Sequence, residues 1–186
     1  MCLDGECGAG CLDANEVLGA CRAFVTSTTY TGALGGLEGA DTRCQARANA
    51  ANLPGTYKAW LSDSAESPAT RFHCRAASCS PHGYTRVDGV TIVANDRTDL
   101  TDTSLDAAIN VTELNQTFVA TDTVWTYTKT DGTAGGFQNT HCLNWTDAGH
   151  NALGDTGIPQ NGNFFWTHFG TGRCDQLSPL YCFQQS

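Results

Sequence analysis

No apolar run in this chain is long enough to cross a bilayer, which excludes a helical membrane span. Basic residues are also scarce: Lys and Arg number 10 against 19 Asp and Glu, a formal charge of −9. A surface of that sign repels polyanions at long range, which excludes nucleic acid as a partner. The motifs of common catalysts are missing as well. There is no Gly-x-Ser-x-Gly, no His-Glu-x-x-His and no P-loop, and no nucleophile pattern stands beside any of the five histidines. We therefore do not read the chain as an enzyme. No Cys-x2-Cys pair occurs, which argues against a zinc module. Met1-Cys2-Leu3-Asp4 has neither the basic start nor the apolar run of a secretory signal, so Met1 reads as an addition to a mature fragment.

Cysteine, by contrast, is abundant, with ten in 186 residues. That number points to disulfides and an oxidising compartment, hence a secreted or cell-surface protein. Four of them, Cys2, Cys7, Cys11 and Cys21, fall in residues 1–21 among acids and glycines with almost nothing apolar. Such a segment has no core of its own and depends on cross-links. We take it as a cysteine-rich stub preceding a main domain of residues 22–186. Either two bridges close within the stub, or Cys21 ties it to the domain. Asp4, Asp13 and Glu16 fit no calcium loop and read as solvated acids. Cys74 and Cys79 are close enough to close a local loop, and the flanking His73 and His82 read as surface residues beside that bridge.

The main domain is organised around residues 41–64. Ala40, Cys44, Ala48 and Ala51 recur at helical intervals, and so small a face lets a helix lie close to a sheet. Arg43, Gln45, Arg47 and Asn49 would cover the outer side. Leu53-Pro54-Gly55 ends the helix, and Tyr57–Leu61 alternates as a strand. Elsewhere strands are expected at 22–28, on either side of the turn Asp88-Gly89, at 124–128, from Phe164 and at 180–183. The run 31–36 reads as a connection. Residues 129–141 and 147–163 read as two long polar loops, the first turning at Asp131-Gly132. Asp96, Asp99, Asp102 and Asp106 follow one another at near-helical spacing. They are candidates for calcium, against the alternative that they cap helices and close Asx turns.

This order of elements resembles the C-type-lectin-like fold, most closely its endostatin branch, the C-terminal domain of collagens XV and XVIII. The residues that carry the likeness are Cys44-Gln45-Ala46-Arg47-Ala48, the stretch from Leu53 through Ser62, Val124-Trp125, Asp131-Gly132, Cys142-x2-Trp145 and the ending Cys174-x7-Cys182. The chain is even more similar to a bacterial secreted domain that recurs in myxobacterial and spirochaete surface proteins. The likeness covers about residues 22–186. It implies a disulfide-stabilised, loop-rich α+β domain with nested bridges, Cys44 to Cys182 and Cys142 to Cys174, and Cys74–Cys79 as an extra staple. Three departures limit what is carried over. The histidine-rich zinc site of endostatin has no counterpart, and the acidic balance removes its heparin-binding surface. The carboxylates that hold calcium in sugar-binding lectins are missing before Cys142 and before Cys174.

The function these readings imply is extracellular binding or adhesion to a glycan, matrix component or partner protein through loops. The candidate ligand residues are Asp131, Asn139, Asn144, Asp147, Asn151, Asp155 and His168, with calcium a possible companion. Of Trp125, Trp145 and Trp166, two are expected in the core. The alternative reading is a structural subunit of a surface appendage or filament that self-associates through the stub; an enzyme ranks third. Asn110, Asn115 and Asn144 each begin a glycosylation sequon.

Overall fold

The computed structural model describes residues 11–12, 18–72, 83–119, 123–136 and 139–185, without the side chains of 11, 12 and 18. The expectations for Cys2, Cys7, Asp4, Asp13 and Glu16, and for the His73-Cys74 and Cys79-to-His82 segment, lie outside the described residues. In chain order the elements are β1 (Cys11–Leu12), β2 (Leu18–Gly19), β3 (Cys21–Val25), α1 (Gly36–Ala50), β4 (Tyr57–Ala59), α2 (Pro68–Arg71), β5 (Tyr84–Arg86), β6 (Ile92–Ala94), α3 (Arg97–Leu100), β7 (Val124–Trp125), β8 (Leu153–Gly157), β9 (Gly170–Arg173) and β10 (Tyr181–Gln184). The class is α+β. Strands β1 and β2 pair as a small ribbon, β4-β10-β3-β5-β6 form a five-stranded sheet, and β7-β8-β9 form a three-stranded sheet.

The five-stranded sheet separates two cores because its strands are apolar on both faces. Side chains alternate across a strand. On β10, Tyr181 and Phe183 join one cluster with Trp60, Phe72, Tyr84 and Trp166, while Cys182 points to the other. On β3, Ala23 and Val25 belong to the first cluster and Phe24 to the second. Strand β10, the last among the described residues, therefore lies inside the sheet, antiparallel to β3 on one side and to β4 on the other. The first core is aromatic: Trp60 meets Trp166 at 5.0 Å and Phe183 at 5.4 Å between ring centroids. All four tryptophans are fully buried, so the expectation that one of three would stay at a binding face is corrected.

Helix α1 covers the second core with Leu37, Ala40, Cys44 and Ala48. Small residues allow its backbone to approach β4 and β10, and Cys44 is bonded to Cys182 in the sheet. The helix begins earlier than its apolar spacing indicates, inside the supposed connection. Gly35 and Gly36 both adopt positive φ there, and Arg43 Nη1 donates to the carbonyls of Leu34 and Gly39. It ends at Ala50, and Asn52 turns the chain in left-handed conformation with φ 54° before the Leu-Pro-Gly stretch is reached. Leu53 N then closes on Ala48 O at 2.9 Å. Arg47 does not simply cover the outside. Its guanidinium pairs with the carboxylate of Glu113, which is buried and also accepts from Ser27 N at 2.9 Å.

Strand β4 lies at an edge, and the helix satisfies its outward amides. Gln45 Oε1 accepts from Tyr57 N and Asp41 Oδ1 from Ala59 N, each at 2.9 Å. Capping an edge in this way removes a template for intermolecular pairing. Asp41 also receives both Nη atoms of Arg71, at 2.7 and 2.8 Å, and Arg71 in turn donates to Ala59 O at 2.7 Å. Asp41→Ala is expected to cost about 2–3 kcal/mol, since it strips a charge-assisted pair and leaves a strand amide without its acceptor. Asp41→Asn keeps that acceptor and should cost less than half as much. Urea unfolding of the two variants measures the difference.

Candidate functional site

The second half of the chain builds a platform from residues with almost no apolar period. Residues 147–163 are not one long loop. Leu153–Gly157 is the middle strand of the three-stranded sheet, buried along all but its first residue. Its glycines explain both facts. A side chain on Gly154 would strike Cys142 Sγ at 2.8 Å and the Trp125 ring at 2.9 Å, and one on Gly157 would overlap the backbone carbonyl of Trp166. The strand is buried because its neighbours press onto bare backbone, not because it carries apolar groups. A further expectation is corrected alongside it. Phe164–Trp166 is a 3₁₀ turn capped by Asn163, not a strand, and Gly170–Arg173 forms an edge strand beyond it.

Beside this sheet runs a left-handed turn. Cys142, Leu143, Asn144 and Trp145 all have positive φ, between 47° and 60°. For L-residues that conformation costs about 1–2 kcal/mol each. Several contacts offset the cost. The Cys142–Cys174 bridge spans 32 residues, worth about 4 kcal/mol in the chain-entropy picture. Trp145 N donates to His141 O at 2.8 Å and the indole Nε1 to Ser62 O at 2.6 Å. Asn144 Oδ1 accepts from Ser64 N at 3.1 Å, and Asn144 N donates to His141 Nδ1 at 2.8 Å. The turn leaves Leu143 64% exposed at its apex.

Asp155 lies at the centre of β8, fully buried. Its backbone is stitched on both sides: Asp155 N donates to Thr140 O at 2.7 Å and Thr126 N to Asp155 O at 3.0 Å. Gly136 closes over the carboxylate, and a Cβ there would overlap Oδ2. His168 Nδ1 stands 3.9 Å from Oδ2. Tyr127 is near enough to feel the charge. Burial first, and then the Asp155 carboxylate, push its phenol above the ordinary tyrosine range.

Directly beyond His168 lies an aromatic ridge that sequence reasoning did not single out. Phe164 and Phe165 stack with centroids 4.0 Å apart, and Phe169 meets Phe165 edge-on at 5.6 Å. Phe164 and Phe169 remain 49% and 48% exposed. His168 N donates to Phe164 O at 3.3 Å and Phe169 N to Thr156 O at 2.8 Å, so the ridge is fixed to the platform. Its one legible signal was Phe-Phe inside an otherwise polar stretch.

The candidate ligand residues thus divide. Asp155 and His168 come together, and Asn139, exposed with φ 55°, immediately precedes Thr140, whose carbonyl holds Asp155. Asn144 and Asp147 belong to the left-handed turn and its exit, where Asp147 Oδ1 accepts from Gly149 N at 2.7 Å. Asn151 is exposed before β8, and Asp131 closes a separate Asx turn on Thr133. Of the proposed calcium acids, Asp96 caps α3, and all four accept local hydrogen bonds. Asp96 accepts from Asp99 N, Asp99 from Asn95 N, Asp102 from Ser104 N and Asp106 from Asn95 Nδ2. Among the described residues no group of three or more metal-binding side chains converges.

Compared with known proteins, the family described as Protein of unknown function (DUF1554) matches residues 27–161. No curated protein matches the chain.

Two outcomes follow from this geometry. Gly157→Ala should cost about 3 kcal/mol or more, because the backbone it meets cannot yield. Gly170→Ala, which faces open space, should change stability by less than about 0.5 kcal/mol. Chemical denaturation compares them. Slight burial by itself would raise the Asp131 carboxyl, but the Thr133 hydroxyl and amide, with Lys129, outweigh it and hold it below the usual carboxylate range. A depressed carboxyl stabilises above its unfolded pKa and loses that contribution as pH falls through the folded one. Asp131→Asn should therefore flatten the acid limb of the stability–pH curve.

Proposed function

We propose that this chain, which belongs to the DUF1554 family of proteins of unknown function, is an extracellular binding module of the C-type-lectin and endostatin-like kind. On this reading it is secreted or displayed at the cell surface, performs no catalysis, and recognises a glycan, matrix component or partner protein through loops held on a cross-linked scaffold. Two bridges at the spacing that the resemblance implies support the architecture. The acidic balance supports a partner that is not a polyanion.

The observation that carries the reading is the exposed ridge Phe164–Phe165–Phe169 beside His168. Aromatic faces supply contact area at small entropic cost, and adjacent polar groups set orientation. Phe164 and Phe169 are the exposed phenylalanines among the described residues, and they lie on one ridge.

A glycan array together with a panel of immobilised matrix proteins, each with and without calcium, tests this. The double variant Phe164→Ser, Phe169→Ser should lose at least tenfold in affinity for whatever the native protein retains, with its unfolding midpoint nearly unchanged. Undiminished binding by that variant would place the contact surface elsewhere. Retention of no glycan or matrix protein at all would set the binding role aside.

A further inference from the structure

The left-handed turn 142–145 depends on an acceptor that a single proton removes. His141 is buried, and its Nδ1 accepts the backbone N–H of Asn144 at 2.8 Å. An imidazole nitrogen can accept only while it carries no proton, so the neutral ring here has its hydrogen on Nε2. In imidazolium both nitrogens are donors, and an N–H at Nδ1 would confront the N–H of Asn144.

From this arrangement we propose that His141 is a protonation-sensitive latch: its neutral ring holds the turn closed, and its protonation releases Leu143 and Asn144 from their fixed presentation. The positioning is local and complete. His141 O takes Trp145 N while His141 Nδ1 takes Asn144 N, so one residue satisfies two amides of the turn. The strained backbone supplies the tendency to open once the cap fails. The Cys142–Cys174 bridge and the Trp145 indole keep the ends in place, which confines the change to the middle of the turn.

The acceptor role of Nδ1 sets the sign, and the groups around the ring are few. Tyr127 meets it edge-on at 4.9 Å, and its phenol stays neutral because its own titration is displaced upward. On β8, whose Gly154 bridges to His141, the next residue is Asp155, and its carboxylate stands 3.9 Å from His168 Nδ1. Asp147 follows on the turn itself. The Asn144 N–H finds its acceptor at Nδ1 only in the neutral ring. The turn is therefore closed on the alkaline side and open on the acid side.

His141 is a positioning residue, and the latch can be tested without a ligand. Amide hydrogen exchange of the whole chain, read at Asn144 and corrected for the intrinsic pH dependence of exchange, would be followed from about pH 8 to pH 4 alongside the His141 ring resonances. Protection at Asn144 should fall at least tenfold in step with His141 protonation, while core amides of the five-stranded sheet keep theirs. His141→Asn places an amide oxygen near the Nδ1 position and cannot titrate. It should keep Asn144 protected across the whole range, whereas His141→Phe should leave it unprotected even at pH 8. If Asn144 stays protected after His141 has taken its proton, or if His141→Asn shows the same acid-induced loss, the latch is wrong. Any effect on partner affinity rests on the binding role proposed above. Affinity that ignores pH while Asn144 opens would count against that role at this turn and leave the latch intact.

Discussion

The link on which the rest depends is the bond between Cys44 and Cys182. It joins the middle of α1 to β10, an interior strand of the larger sheet, across 138 residues. In the chain-entropy picture closing so long a loop is worth about 5 kcal/mol, a large share of the stability of a domain this size. The bond also decides geometry. It forces the helix face to be small, since a larger residue at Ala40 or Ala48 would hold α1 off the sheet. Close approach then lets Gln45 and Asp41 reach the amides of β4. Removing the bond would loosen the cap on that edge together with the core.

Such a link is needed because the second half of the chain has little else. Between Lys129 and Arg173 the backbone is held by polar groups and bare glycines. Short polar side chains satisfy nearby amides: Asp131 to Thr133, Asp147 to Gly149, Asn163 to Phe165. Each is a local bond that also forms readily in an unfolded chain, so these bonds select loop shapes without driving collapse. Collapse comes from Trp125, Trp145 and Trp166, whose buried rings anchor the segments between the loops. Their indole groups add direction, Trp125 bonding to Tyr30 O and Trp145 to Ser62 O, so two loops are pinned to the first half of the chain.

This division explains what could be read from the residues alone. Helix α1, strand β4, the Asp88-Gly89 hairpin and β10 follow from apolar spacing and turn chemistry, and the structure contains them. The two nested bridges matched a resemblance, not a calculation. Strand β8 was invisible because Leu-Gly-Asp-Thr-Gly carries the composition of a loop. Its burial is a property of the rings and bridge pressed against it. The left-handed turn was equally hidden, since Cys-Leu-Asn-Trp has no glycine to announce positive φ and only tertiary contacts impose it. For the candidate site the same rule holds. Asp155 and His168 were chosen as exposed loop polars, yet one is in the core and the other only half outside.

Where large apolar side chains end up is the more telling contrast. The aromatic rings inside the two core clusters are buried to within a few per cent, including all four tryptophans, while Tyr30 and Tyr127 pack partly buried against the second. Phe164 and Phe169 are not part of either cluster, although they sit next to Trp166, which is. The 3₁₀ turn makes that separation. It sends Trp166 inward and leaves Phe164 outward, and Asn163 fixes the turn by capping Phe165 N. A polar residue at 164 would leave this backbone arrangement intact, so the fold does not demand phenylalanine there. Exposed rings raise the risk of association in an otherwise polar, acidic surface. Their presence on a rigid, locally capped turn is what a contact surface requires, since a pre-ordered ring loses little freedom when a partner covers it.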